Sequence, residues 1–150
     1  MARRLPAALA HLVEGGAKNG RRKLHEVAKR PRPPWWPDGV QSELEYALVT
    51  RLEAAGLPLG EAQHRFVPGR QYRFDRAWPE QRVAVEIQGG LWIQGAHSRG
   101  SGVERDCVKL SVAAALGWRC LPISTAMIRS GQAVQLIAQA LGLPIREVLR

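Results

Sequence analysis

Two carboxylates interrupt apolar, β-rich runs in the middle of the chain. Asp75 lies in one run and Glu86 in the next, with Gln88 two positions further on. Strand side chains alternate, so Glu86 and Gln88 project to the same side. Together with the Ile87 carbonyl, two neighbouring acids offer the hard oxygen ligands that suit Mg²⁺ or Mn²⁺. Such an ion activates water and stabilises charge on a phosphate, so these residues predict metal-assisted phosphate chemistry.

The hairpin between the two runs decides whether the acids meet. A four-residue loop over residues 79–82 places Asp75 opposite Glu86. The same register puts Phe74 and Arg76 on the apolar face, with the Arg76 stem reaching solvent at a rim. The alternative is a set of surface ion pairs that leaves no metal site. These would join Asp75 to Arg73 or Arg82, and Glu86 to Arg119.

Periodicity and chain breakers predict the elements that position these residues. Apolar spacings near four predict a helix over residues 42–55, where Ser42 and Glu45 have capping-box spacing. Later runs predict strands at residues 62–67, 72–78, 82–88 and 118–123, and helices at residues 103–116, ending at Gly117, and 131–141. A helical crossover makes the last two strands parallel. We therefore predict an α/β fold with a mixed sheet flanked by helices, in the order α-β-β-β-α-β-α.

The positive charge is concentrated at the N-terminus. The 150 residues carry 22 Lys plus Arg and 13 Asp plus Glu, a net charge of +9, and residues 1–38 hold +6 of it. This basic arm ends in a Pro- and Trp-rich strap and precedes a predicted domain over residues 39–150. Basic arms bind DNA phosphates without reading sequence, although a solvated tail is the alternative. The expected phosphate contacts in the arm are Arg3, Arg4, Arg21, Arg22 and Lys23.

Other sequence features narrow the protein class. No apolar run approaches the roughly 18 residues of a membrane span, and no secretory signal is evident. We expect a cytoplasmic protein that does not contact a membrane. Cys107 and Cys120 are too few for a disulfide framework, and we expect both to be free and buried.

The order of elements and acids resembles the PD-(D/E)XK nuclease superfamily across residues 42–141. The resemblance implies a restriction-endonuclease-like core, with Asp75 and Glu86 as its catalytic metal-binding acids. It places Glu45 at the first-helix acid of archaeal-type Holliday junction resolvases, although a helix-capping role is an equal alternative. Gln88 departs from the pattern, because a lysine usually stands there to orient or activate the attacking water.

Because position 88 lacks the lysine, we expect residues after the third strand to supply its role. Lys109 and His97 are the candidates for its role, although an ion pair between Lys109 and Asp106 is the alternative for that lysine. Arg99 and Arg105 are expected phosphate contacts. The segment over residues 86–119 also resembles phage and bacterial relatives of this superfamily that are similar to very-short-patch repair endonucleases. It is similar as well to small phage-encoded Holliday junction resolvases.

The resemblance implies an Mg²⁺-dependent endonuclease, with Mn²⁺ able to substitute, that resolves four-way DNA junctions. A homodimer would match the two cuts of this two-fold symmetric substrate. Two alternatives stay open. One is a mismatch-specific or site-specific nicking endonuclease of the repair or homing type, and the other is an inactive DNA-binding module on a nuclease fold.

Overall fold

The computed structural model describes Pro34, residues 38–88 and residues 100–144, without the side chains of residues 100–103. Residues 89–99 and nearly all of the predicted arm and strap lie outside this part. The predicted site residues outside it are Arg3, Arg4, Arg21, Arg22, Lys23, His97 and Arg99. No helix within the described ranges is long and apolar enough to cross a membrane.

Four helices and four strands form the described part of the fold. They are α1 (Glu43–Ala54), β1 (Glu61–Arg65), β2 (Arg73–Trp78), β3 (Val83–Gln88), α2 (Gly100–Ala115), β4 (Arg119–Ser124), α3 (Thr125–Ser130) and α4 (Gln132–Leu141). The predicted order is confirmed with one addition, α3. This six-residue helix is too short to show a periodic pattern, but it is capped by the Ser124 hydroxyl and followed by Gly131 at φ +81°.

The helix boundaries follow local chain chemistry. The Ser42 hydroxyl accepts a hydrogen bond from the Glu45 N–H at 3.1 Å, which confirms the predicted start of α1. Gly117, at φ +81°, lies just after α2 as predicted. Glycine adopts this left-handed conformation without a Cβ clash. Helix α2 begins at Gly100, three residues before the predicted position.

The four strands form one mixed sheet in the order β1-β2-β3-β4. The pairs β1–β2 and β2–β3 are antiparallel, whereas β3 and β4 are parallel, as the helical crossover predicted. Trp78 pairs with Val83 and Arg76 with Val85, so the predicted four-residue hairpin loop is confirmed. This register brings Asp75 to the level of Glu86 in the neighbouring strand.

Each face of the sheet packs against its own helices. Helices α1, α3 and α4 bury one cluster, which includes Leu48, Val85 and Ile137. Helix α2 buries the other, which includes Ala84 and Val112. Both faces are therefore excluded from water over the centre of the sheet.

Two predictions about β2 are wrong. Phe74 does not lie on the face of Trp78, but packs in the α2 cluster with Ala77. Simple alternation therefore fails between Phe74 and Ala77. Arg76 lies on the α1 face as expected, but it is only 5 % exposed. It donates to Glu45 at 3.1 Å instead of reaching solvent at a rim.

Candidate active site

Asp75 lies where the backbone pairing of β2 and β3 gives way to a side-chain contact. Continued pairing would set Phe74 opposite Ile87, but the Ile87 N–H donates to Asp75 Oδ2 at 2.7 Å. The other oxygen, Oδ1, accepts from the Gln63 amide at 3.4 Å. The carboxylate therefore substitutes for a strand acceptor, which fixes it beside the backbone that follows Glu86.

Gln63 adopts an unusual backbone conformation within β1. Its φ of +52° lies in the left-handed region, which costs a residue with a Cβ about 1–2 kcal/mol. Its β1 neighbours pair regularly with β2, Ala62 with Arg76 and His64 with Phe74. The strained residue is thus the one at the level of Asp75. Such outliers persist where surrounding contacts enforce them, often at functional sites.

This strain predicts an inverted stability order at position 63. In ordinary strands a protein with glycine is less stable than the same protein with alanine. Here Gln63→Gly relieves the backbone strain that Gln63→Ala retains. We expect the Gly variant to unfold at a higher urea concentration than the Ala variant, a difference of about 1 kcal/mol. Both variants lose the amide contact with Asp75, so the comparison isolates the backbone. The usual order, with alanine more stable, would contradict this conformation.

Glu86 is paired with a lysine from helix α2. The Lys109 Nζ, from α2, lies 2.6 Å from Glu86 Oε1. Burial raises the pKa of Glu86 above its ordinary value of 4.5. The hydrogen bond and charge of Lys109 oppose that rise, whereas the charges of Asp75 and Asp106 reinforce it. The lysine therefore favours the charged form of a carboxylate that burial would otherwise neutralise.

The alternative pairings considered from sequence are not the ones observed. Lys109 contacts Glu86 rather than Asp106, which is exposed. The arginines proposed as partners of the two acids donate elsewhere. Arg73 donates to the Gln71 side chain, Arg82 to the Leu116 carbonyl and Arg119 to the Gln81 carbonyl.

Glu45 forms a buried ion pair with Arg76 next to the site. Glu45 is only 1 % exposed, and both of its carboxylate oxygens accept hydrogen bonds. Oε1 accepts from Arg76 Nε at 3.1 Å, and Oε2 accepts from the Gln41 N–H at 2.6 Å. The Ser42 hydroxyl caps the Glu45 N–H. The Glu45 carboxylate accepts from Gln41, one residue before the N-cap, instead of from the Ser42 N–H that a capping box would use. Burial raises the pKa of Glu45, although its hydrogen bond from Gln41 and the charge of Arg76 oppose the rise.

The remaining predicted residues lie around this centre. Gln88 is half-buried at the end of β3, opposite Ser124 of β4. Arg105 is exposed on α2. Of the cysteines, Cys107 is exposed rather than buried as predicted, whereas Cys120 is half-buried. Burial and the neighbouring Glu86 charge raise the pKa of the Cys120 thiol to about 12.

The oxygen donors fit a small divalent cation. No group of three or more His, Cys, Asp or Glu side chains within the described ranges could hold a metal ion. Mg²⁺, however, commonly binds through one or two carboxylates and keeps several waters. The charge of Asp75 disfavours the ionised form of Glu86, which a cation would reverse. Two carboxylates and the Ile87 carbonyl therefore form a suitable donor set.

The chain was compared with known proteins by sequence and by structure. No family model matches it. Over 108 residues it is 31 % identical to two uncharacterized proteins from two strains of Mycobacterium tuberculosis. The match covers 71 % of this chain but only 38 % of each relative. These relatives indicate a related segment inside longer proteins.

The structural comparison decides the fold. The catalytic domain of the homing endonuclease I-Bth0305I superposes with a TM-score of 0.51. The match covers 68 % of this chain and 96 % of that domain, at 19 % sequence identity. The chain has a nuclease fold. This confirms the predicted restriction-endonuclease-like architecture, and the mixed sheet of the nuclease fold positions the acids described above.

Sequence reasoning missed two features of this nuclease fold. The positive φ of Gln63 was not predicted, because glutamine, unlike glycine or asparagine, is not typical of that conformation. The Glu45–Arg76 pair joins residues 31 positions apart. A charged residue in the middle of an apolar strand was the available signal, since buried arginines require a partner.

Proposed function

We propose that the protein is a metal-dependent endonuclease that hydrolyses phosphodiester bonds in DNA. One observation carries the proposal. Asp75 and Glu86 converge where β2 and β3 stop pairing through their backbones, with Lys109 on Glu86, in a nuclease fold. Titratable groups placed in this way are typical of hydrolytic centres.

The roles of the residues follow from their contacts. Asp75, Glu86 and the Ile87 carbonyl would hold Mg²⁺ or Mn²⁺. When bound, such an ion supplies charge stabilisation on the phosphate and activation of water. The Ile87 N–H orients Asp75. Lys109 favours the ionised form of Glu86 by opposing the rise of its pKa, and adds a positive charge near the reacting phosphate. The Gln88 amide can orient a water molecule but supplies no charge.

Lys109 is proposed to take the role of the lysine that the β3 motif lacks. It reaches Glu86 from α2 instead of from β3, so the charge is retained while its origin in the chain has moved. His97 stays a second candidate for a general acid and lies outside the described residues. A first-helix role for Glu45 is proposed to be indirect, because the residue is only 1 % exposed and its carboxylate is paired with the buried Arg76.

Two DNA substrates are proposed. The first is a four-way junction, cut by a homodimer. Helix α4 does not offer an apolar contact for that dimer, because its apolar residues are buried in the core of this chain. The second is a specific duplex site that is nicked or cut, which the similarity to a homing endonuclease catalytic domain favours. In either case residues 1–38 are proposed as a basic arm beside a nuclease domain over residues 39–150, with Arg99 and Arg105 as further phosphate contacts.

A matched substrate panel tests the proposal. Linear, nicked, mismatched and four-way-junction DNA of shared sequence would be incubated with the full chain in Mg²⁺, Mn²⁺ or EDTA. We expect metal-dependent cleavage, with the junction cut fastest if the first substrate applies. Equal cutting of all DNA forms would support the nuclease activity and contradict specificity for junctions. DNA binding without cleavage in either metal would instead indicate an inactive DNA-binding module.

A further inference from the structure

Two exposed arginines lie directly opposite each other at the end of the β1–β2 pair. Arg65 ends β1, Arg73 begins β2, and the two are register partners. Both guanidinium groups donate to one atom, the Gln71 Oε1, at 3.1 and 3.4 Å. Like charges in directly opposed positions destabilise a sheet. An arrangement that holds them together therefore needs a reason other than stability.

Their charge is not neutralised by the protein. Neither arginine forms an ion pair with a carboxylate in the described ranges, and the shared acceptor is a neutral amide. Each guanidinium has five N–H donors, so most of these donors face solvent. Planar, paired guanidinium groups of this kind match the oxygens of phosphate.

The pair lies two residues along the strands from Gln63 and Asp75. The neighbouring residues His64 and Phe74 pack toward Trp118, with ring centroids 5.4 and 5.0 Å from it. Strand alternation then places Arg65 and Arg73 on the face opposite these rings. Two strand residues span about 7 Å, which matches one or two nucleotides along a DNA strand.

We propose that Arg65 and Arg73 form a phosphate clamp for the DNA backbone, one or two nucleotides from the bond that is cut. The inference rests on the proposed DNA substrate and extends it to residues outside the basic arm. Gln71 keeps the two guanidinium groups side by side in the absence of DNA. The clamp contacts phosphate only, so it adds affinity and fixes the position of the strand without reading its sequence.

Salt-dependent DNA binding tests the clamp. The full chain, in EDTA to prevent cleavage, would bind a labelled duplex at increasing NaCl concentration, measured by fluorescence anisotropy. We expect the double variant Arg65→Gln with Arg73→Gln to reduce the slope of log affinity against log salt by about two. The control Arg51→Gln with Arg129→Gln also removes two exposed positive charges, and its slope should change by less than one. The pair Arg65→Lys with Arg73→Lys keeps both charges and should restore the slope.

The outcomes separate the clamp from the enzyme. A slope equal to that of the control variant, in a protein that binds and cuts DNA, overturns the clamp and leaves the nuclease intact. A wild-type protein that binds DNA with the expected difference in slopes, but never cleaves in Mg²⁺ or Mn²⁺, supports the clamp and overturns the nuclease. An absence of DNA binding by the wild-type protein overturns both. Urea unfolding of each variant establishes that the comparison is made between folded proteins.

Discussion

Asp75→Asn and Glu86→Gln are each expected to lower the DNA cleavage rate by on the order of 10³-fold or more. Each substitution keeps the shape of the side chain and removes a negative charge that a divalent cation needs. In Asp75→Asn the side-chain amide oxygen would still accept from the Ile87 N–H, so the β2–β3 junction should keep its structure. Single-turnover cleavage of a labelled duplex in Mg²⁺ measures the effect, and binding in EDTA should be unchanged or tighter.

The controls use residues near the same centre. Asp106 is exposed, and its charge is felt by Glu86, but it makes no contact assigned to the site. Asp106→Asn should therefore keep activity within a few-fold of wild type. Lys109→Met removes the charge beside Glu86 and should fall between these extremes, with a larger loss at acidic pH because Lys109 lowers the Glu86 pKa. Near-normal cleavage by both acid variants would place the catalytic centre elsewhere.

Arg76→Leu is expected to destabilise the fold by about 3–5 kcal/mol at neutral pH, because it leaves Glu45 charged, buried and unpaired. Glu45→Gln combined with Arg76→Leu removes that charge and should recover much of the loss. Urea unfolding curves of the two variants and the wild type provide the free energies. Equal destabilisation of the single and the double variant would show that lost packing, rather than the unpaired charge, is responsible.

The pH dependence of this effect has a definite sign. Burial raises the folded-state pKa of Glu45 above its ordinary value of 4.5, and loss of the Arg76 charge raises it further. A carboxyl with a raised pKa binds a proton on folding, so stability is lost as pH rises from that value through the folded-state pKa. The deficit of Arg76→Leu should therefore be smallest in acid and largest at neutral pH. A deficit that does not change with pH would contradict a charged Glu45.

Much of the fold could be predicted because its signals are local. The Trp78–Val83 pairing follows from hairpin length, and the stop at Gly117 follows from glycine chemistry. Phe74 could not be assigned to its face, because alternation fails between it and Ala77. The cause is a tertiary one, since Asp75 satisfies a backbone N–H of the next strand with its side chain.

The candidate site also combines residues that the sequence predicts with contacts that it does not predict. Its acids could be named from residue type and strand position, and Lys109 could be offered as one of two substitutes for a missing charge. The partner of Arg76 could not be named, because Glu45 comes from a helix 31 residues away and also had an adequate local role as a cap. The left-handed backbone of Gln63 has no signature in its residue type.

The protonated Cys120 thiol makes selective chemical labelling practical. Thiolates, not thiols, react with maleimides and iodoacetamides, and a pKa of about 12 leaves Cys120 almost entirely protonated. Cys107 is instead exposed on α2, two residues before Lys109. A fluorophore or spin label should therefore attach at Cys107 in the unaltered sequence, and would report on the approach of DNA or a metal ion to the helix that carries Lys109.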